Sequence, residues 1–383
     1  MTHKLVIVTE IIAPYRIPVF NALAQRPEID LHVIFLSESD PALRQWLVYK
    51  EEIKFPYDVL PSWRQRFGKY NILLNRGMHS SLSRIQPDVV VCGGYNYPAS
   101  WTAARWAKAH RVPFLLWTES TAFDLRRRYR VVEFIKKRFL KMCAAFVVPG
   151  KSSLHYLQDL GIPAERIATA PNAVDTTLFS KLAEAARHSE SQVRARHRLP
   201  ARYFLYVGRL VKAKGVFDLL HAYSQLNPEI RSSVGLVLVG DGSDRQQLVE
   251  LAANITPGTI QIPGFAHREQ LSEIYALADG FIFPTHSDPW GLVVNEAMAC
   301  GLPVLATTVA GCTLDLVQDG WNGFVVPPRD PTRLAAAMEN LAIDSTLGTE
   351  MGRRSRERAE SYSPAAWARG MLEAVQSVRS PQD

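Results

Sequence analysis

The stretch DPWGLVVNEAMACGLPVLAT, residues 288–307, is mostly apolar, yet it carries two carboxylates, Asp288 and Glu296. Carboxylates are costly to bury, so a segment that otherwise reads as core keeps them for a reason. Gly291, Gly301 and Pro303 divide the run into loop, helix and strand in quick succession. The piece LVVNEAMAC is long enough for about two and a half helical turns, and Gly301 with Pro303 stops it. Gly291 and Leu292 then fall at the helix N-terminus, where free N–H groups receive anionic oxygens and a glycine lets them come close. Glu296 lies about one turn deeper, placed to accept two vicinal ribose hydroxyls, with Asp288 on the loop before it.

Working outward, short β-branched runs recur with helical patterns between them. In the first half these are KLVIVTE, LHVIFLS, DVVVCGG, PFLLWTE, AFVVPG and RIATAPN; in the second they are YFLYVGR, VGLVLVG, TIQIPGF, GFIFPT, PVLATT and GFVVPP. Continuous apolar runs of this length are what buried parallel strands require. Between them, REQLSEIYALAD puts Leu271, Ile274, Tyr275 and Ala278 on one helix face. The pattern predicts an α/β chain of two doubly wound domains: 1–185, a polar linker 186–200, 201–362, and a last helix in 363–383 that packs back on the first domain. Open sheets of this kind bind ligands beyond the carboxyl ends of their strands, which directs attention to the residues there.

YFLYVG ends at Gly208 and is followed by Arg209, then by Lys214 and Gly215 just before the helical VFDLLHAY. A guanidinium fork, an ammonium and helix N–H groups at one strand end suit a diphosphate. Other phosphate motifs fail. AFVVPGKSS has Ala145 where a P-loop needs glycine, and VGDGSDR has Arg245 where a dinucleotide fingerprint needs its third glycine. A metal-holding D-x-D is also missing from the sequence, so no metal and no cofactor is expected.

Composition narrows the class. The chain has 383 residues, 47% hydrophobic and 21% charged, which is ordinary globular usage. Its apolar runs fall far short of the roughly 20 residues that span a bilayer. Cys92, Cys143, Cys300 and Cys312 lack zinc or redox spacing, and a cytoplasmic location is expected. A net charge of +7 implies an anionic partner. Much of it lies in RRRYRVVEFIKKRFLK, residues 126–141, where Val131, Phe134, Ile135 and Leu140 allow an amphipathic helix. Such a helix fits an anionic membrane surface, which would place the chain peripherally on the inner face of the cell membrane. The cations do not interleave with aromatic stacking platforms, which argues against nucleic acid.

On these residues the chain resembles the family 4 retaining glycosyltransferases of the GT-B fold, over nearly its whole length. Their E-x7-E motif is similar to DPWGLVVNEAMACGLPV; PNAVD (171–175), GRLVKAKG (208–215), GDG (240–242) and GCTLDLVQDGWNGFVVPP (311–328) follow the family's order. The resemblance implies a nucleoside-diphosphate sugar donor, linked to uridine or guanosine. It assigns Gly208, Arg209, Lys214, Gly264, Phe265, Gly291, Leu292 and Glu296 to that donor. Arg209 and Lys214 would stabilise the leaving diphosphate, and Asp288 and Glu119 would orient sugar hydroxyls. Tyr15 and Arg16 would lie on the loop facing the donor sugar and the acceptor, a hydroxyl of a glycan or lipid-linked saccharide. Two departures stand out: Asp288 replaces the first Glu, and Glu119 of WTEST stands where many members carry His. A sugar-nucleotide epimerase is the nearest alternative activity, since it shares the diphosphate site and needs no acceptor.

Overall fold

The computed structural model describes residues 2–40, 47–67, 70–123, 130–255 and 259–379. The strands are β1 His3–Thr9, β2 Ile29–Phe35, β3 Tyr57–Val59, β4 Ser62–Phe67, β5 Tyr70–Asn75, β6 Val89–Cys92, β7 Phe114–Trp117, β8 Ala145–Val148, β9 Ile167–Thr169, β10 Tyr203–Val207, β11 Gly235–Val239, β12 Ile260–Gly264, β13 Gly280–Phe283, β14 Val304–Thr307 and β15 Gly323–Val326. They form a seven-stranded sheet ordered β3-β2-β1-β6-β7-β8-β9, a six-stranded sheet ordered β12-β11-β10-β13-β14-β15, and the separate hairpin β4-β5. Strand pairs in both large sheets are parallel. All twelve apolar runs read from the sequence contribute a strand. The central ones are buried along their length, because helices cover both faces of each sheet.

The chain divides into two compact units. The first holds the residues up to Ser120, their continuation to Ala173 and the last helix from Pro364; the second holds Val174–Ser363 with the short segment after Ser120. The first boundary therefore falls at Ala173 rather than inside 186–200. The expected linker is helical, with helices over Thr176–His188 and Glu190–His197 in the second unit. Asp175 caps the first of them by accepting from the Leu178 amide at 2.9 Å. The last helix, Pro364–Ser377, packs in the first unit, where Trp367 lies 5.2 Å from Trp117 and 5.7 Å from Phe20, centroid to centroid.

Each sheet reverses its winding once. In the first unit β1 is flanked by β2 and β6; in the second β10 is flanked by β11 and β13. These reversals open a crevice at the carboxyl ends of the flanked strands, where an α/β sheet binds ligands.

Part of the basic run forms the helix its periodicity allows. Residues 126–129 lie outside the described residues; Arg130–Leu140 is helical. Phe139 and Leu140 are buried, but Phe134 and Ile135 are 67% and 46% exposed, and Lys136 is turned inward. Its ammonium bonds the Tyr156 hydroxyl and stands 4.4 Å from that ring's centroid, the partner that lets a lysine be buried. Among the described residues, no helix is long and apolar enough to cross a membrane.

Candidate functional site

In the second unit the predicted donor residues gather at the carboxyl ends of β10 and β13, on either side of the winding reversal. Gly208 follows β10 and Arg209 follows it. A short turn, Lys212–Lys214, then delivers Gly215 as N-cap of the helix Val216–Gln225. Gly215 has φ +70°, and a Cβ there would lie 1.8 Å from the Pro284 carbonyl oxygen, so only glycine lets this turn sit against the end of β13.

Lys214 and Asp288 meet directly. The ammonium donates to Asp288 Oδ2 at 2.5 Å and to the Ser287 carbonyl at 3.2 Å, with side chains 12% and 19% exposed. Asp288 Oδ1 accepts from the Trp290 amide at 3.1 Å. Arg209 is exposed, and among the described residues no carboxylate pairs with its guanidinium. One cation is thus held ready by a carboxylate and the other is free to meet a ligand.

Gly291 caps the helix Leu292–Ala299 with φ +96°; a Cβ on it would stand 2.6 Å from the Phe283 ring. No side chain caps this end, so its first N–H groups remain available as donors. One turn in, Glu296 Oε2 accepts from the Tyr275 hydroxyl at 3.0 Å. Burial pushes the Glu296 carboxyl up to about 7, and the Tyr275 hydrogen bond opposes that only in part. Gly264, φ +96°, ends β12, and Phe265 beside it is 43% exposed with its ring 5.1 Å from His267.

Sequence reasoning missed the residues that hold these groups in place. The buried Tyr206 hydroxyl donates to the Arg209 carbonyl at 2.9 Å and fixes the turn after β10. Thr285, fully buried, donates to the Ser287 carbonyl at 3.0 Å; Thr307 donates to the Thr285 carbonyl at 2.6 Å, and Thr313 to the Thr307 carbonyl at 2.8 Å. His286 lies 2.6 Å from Asp218 through Nε2, tying the same loop to the helix behind Gly215. Buried hydroxyls between strand ends are legible as polar interruptions in GFIFPT and PVLATT, but their partners are not. Cys312 is buried, and burial drives its thiol well above the ordinary range, as for a small apolar filler.

The other predicted residues belong to the first unit. Tyr15 and Arg16 lie on a single turn, Pro14–Arg16, after β1. The Arg16 guanidinium stacks 3.9 Å from the Trp117 ring centroid, donates to Asn172 Oδ1 at 3.4 Å and pairs with Glu119. Glu119 therefore exists here as one half of an ion pair, with its side chain 31% exposed.

Comparison with known proteins bears on the family and the fold. The family model for group 1 glycosyl transferases matches residues 189–359, and that for glycosyltransferase family 4 matches 20–178. The chain belongs to the family 4, group 1 glycosyltransferases. D-inositol 3-phosphate glycosyltransferase of Frankia alni is 34% identical over 186 residues, 46% of each chain. The chain spans about half the length of the curated relatives it matches. Among solved structures, Anabaena HepE in complex with UDP-glucose matches with TM-score 0.75 and 18% identity, over 98% of this chain and 100% of that one. A glycosyltransferase from Rickettsia africae matches with TM-score 0.78 and 16% identity over both full lengths. At such identities the likeness shows the fold, which is GT-B.

Proposed function

We propose that this glycosyltransferase moves a hexose from a uridine-diphosphate sugar to a hydroxyl of a glycan or lipid-linked saccharide, with retention and without a metal ion. The observation that carries the reading is the convergence of Arg209, Lys214 and the uncapped helix N-terminus at Gly291 on one strand-end reversal, with Glu296 a turn deeper. Cleavage of the anomeric bond leaves negative charge on the diphosphate. Positive groups aimed at that charge in advance supply the stabilisation that a divalent cation gives elsewhere. Glu296 takes the ribose hydroxyls, Phe265 offers a face to the base, and Asp288 and Glu119 orient sugar hydroxyls. The leaving phosphate itself takes the acceptor's proton. The HepE complex with UDP-glucose supports uridine over guanosine. An epimerase shares the diphosphate site but needs acid–base residues on the sugar and no acceptor, and product analysis separates the two.

A thermal-shift panel of UDP, GDP and their sugars tests the donor, since a ligand at 100 times its Kd stabilises a fold by about 2.7 kcal/mol. UDP shifts the midpoint and GDP does not; the reverse result replaces uridine by guanosine. Transfer continues in EDTA, and strict dependence on a divalent ion overturns the metal-free mechanism. The anomeric configuration of the product, read by NMR, tests retention.

The Glu296 carboxyl adds a pH signature. Its pKa is raised to about 7 by burial, and ribose hydroxyls donating to the carboxylate lower it in the complex. In the window between the two values the free protein holds a proton that the complex has released, so affinity rises with pH and levels off above about 7. UDP binds up to about tenfold more weakly at about pH 6 than at about pH 8, measured by calorimetry. A flat profile means that the carboxylate does not hold the ribose.

The partner of the basic run 126–141 is proposed to be an anionic membrane surface. Phe134 and Ile135, exposed beside Lys137 and Arg138, support this reading.

A further inference from the structure

The hairpin β4-β5 stands apart from the seven-stranded sheet, and its register is Trp63↔Leu74, Arg64↔Leu73, Gln65↔Ile72. Alternate side chains of a strand face opposite ways, and here the two faces differ sharply. On the inner face Leu73 is buried in one cluster with Leu60, Met78 and Leu82. Arg64 pairs with Asp40 and reaches Glu10 at 3.5 Å, and the Asn75 amide donates to the Leu36 carbonyl at 2.5 Å. These contacts clamp a two-stranded element that would be marginal alone. On the outer face Trp63 is 54% exposed, Ile72 40% and Leu74 44%.

A single exposed apolar side chain needs no explanation, but a cross-strand Trp–Leu pair with an Ile beside it is a patch. Charge says what the patch meets. The segment 60–87 holds Arg64, Arg66, Lys69, Arg76 and Arg84 and not one Asp or Glu. Arg64 turns to Asp40 and Glu10, and Arg84 to Asp58. Arg76, exposed just past β5, has no acid in the segment to oppose it. A second copy of the chain on this face would bring cations onto cations. An anionic lipid surface accepts both features, because tryptophan settles at headgroup level and each nearby cation adds attraction to the leaflet.

We propose that the outer face of β4-β5 is a lipid-docking surface, which seats the first unit on an anionic membrane through Trp63, Ile72 and Leu74. It rests on the membrane reading of the basic run for the choice of lipid, and uses a different set of residues. Hairpin and basic helix pack on the same side of the seven-stranded sheet, since Leu73, Phe139 and Leu140 share one core cluster.

The test uses the full chain and vesicles of phosphatidylcholine alone or mixed with phosphatidylglycerol. One variant carries Trp63→Ser, Ile72→Ser and Leu74→Ser; another carries Arg126, Arg127, Arg128 and Arg130 changed to Gln. The serine variant loses about tenfold or more in binding to the anionic vesicles, while its UDP affinity and thermal midpoint match wild type, because only exposed side chains change. Brominated lipid quenches tryptophan fluorescence in wild type and much less in Trp63→Phe. If the serine variant binds like wild type while the glutamine variant does not, the hairpin is not the docking surface and the membrane reading of 126–141 stands. Loss in the serine variant alone supports the hairpin and removes the basic run. No vesicle binding by wild type overturns both, and a dimer that only the serine variant dissolves assigns the face to self-association instead.

Discussion

Arg209→Ala and Lys214→Ala each lower kcat on the order of 10² to 10³-fold, the usual consequence of removing one donor aimed at developing charge, ~3 kcal/mol. The charge these groups meet is larger on the departing diphosphate than on the bound donor, so KM changes less than turnover does. Their surroundings make the two variants differ. Arg209 is exposed without a carboxylate partner among the described residues, and its replacement removes a cation and little else. Lys214 is 12% exposed and holds Asp288 and the Ser287 carbonyl, so its loss also loosens the loop that leads to Gly291. Lys214→Ala accordingly raises KM as well. Steady-state kinetics with the preferred sugar nucleotide decide the matter: unchanged kcat in both variants removes these residues from the diphosphate.

Strands were the most legible part of the sequence because the central ones are continuous apolar runs that bury both faces. The stretch 288–307 likewise announced its loop, helix and strand through Gly291, Gly301 and Pro303. What escaped had mixed polarity. The sequences YDV and SWRQRF hold polar residues and no apolar run, and they form the edge strand β3 and the hairpin strand β4. The polar 186–200 segment read as linker because its helix buries only Val193. In REQLSEIYALAD the helix stops at Ala276, so Ala278 lies just beyond the face it was assigned to. Pairings across the chain were beyond reach: Lys214 meets Asp288 over 74 residues and Arg16 meets Glu119 over 103. The sequence offered each as a separate charge; the fold makes them ion pairs, which changes what each can do. The helix at Arg130–Leu140 shows a related limit: its periodicity was legible, but not that Lys136 is the cation turned inward, satisfied by Tyr156.

The two carboxylates of that stretch are expected to fail in different ways when neutralised. Glu296→Gln weakens UDP by ~1.5 to 3 kcal/mol, the worth of hydrogen bonds to a charged group, and abolishes the pH dependence of binding. It also stabilises the ligand-free fold above about pH 7, because the cost of burying that carboxylate, absent at low pH and complete once the group ionises, is removed. Asp288→Asn acts through Lys214. With no donor bound, Asp288 occupies the ammonium at 2.5 Å and competes with a diphosphate for it. Neutralising Asp288 therefore leaves UDP binding equal or tighter while transfer falls, because the carboxylate that orients the sugar is gone. The pair is also non-additive: Lys214→Ala in the Asp288→Asn background costs a different amount of UDP affinity than in wild type, by about 0.5 to 3 kcal/mol as for groups in direct contact. Calorimetry on the two singles and the double variant measures this coupling, and thermal unfolding checks that each remains folded. If Asp288→Asn weakens UDP as much as Glu296→Gln does, both carboxylates serve the nucleotide, and Asp288 has no separate part in handling the transferred sugar.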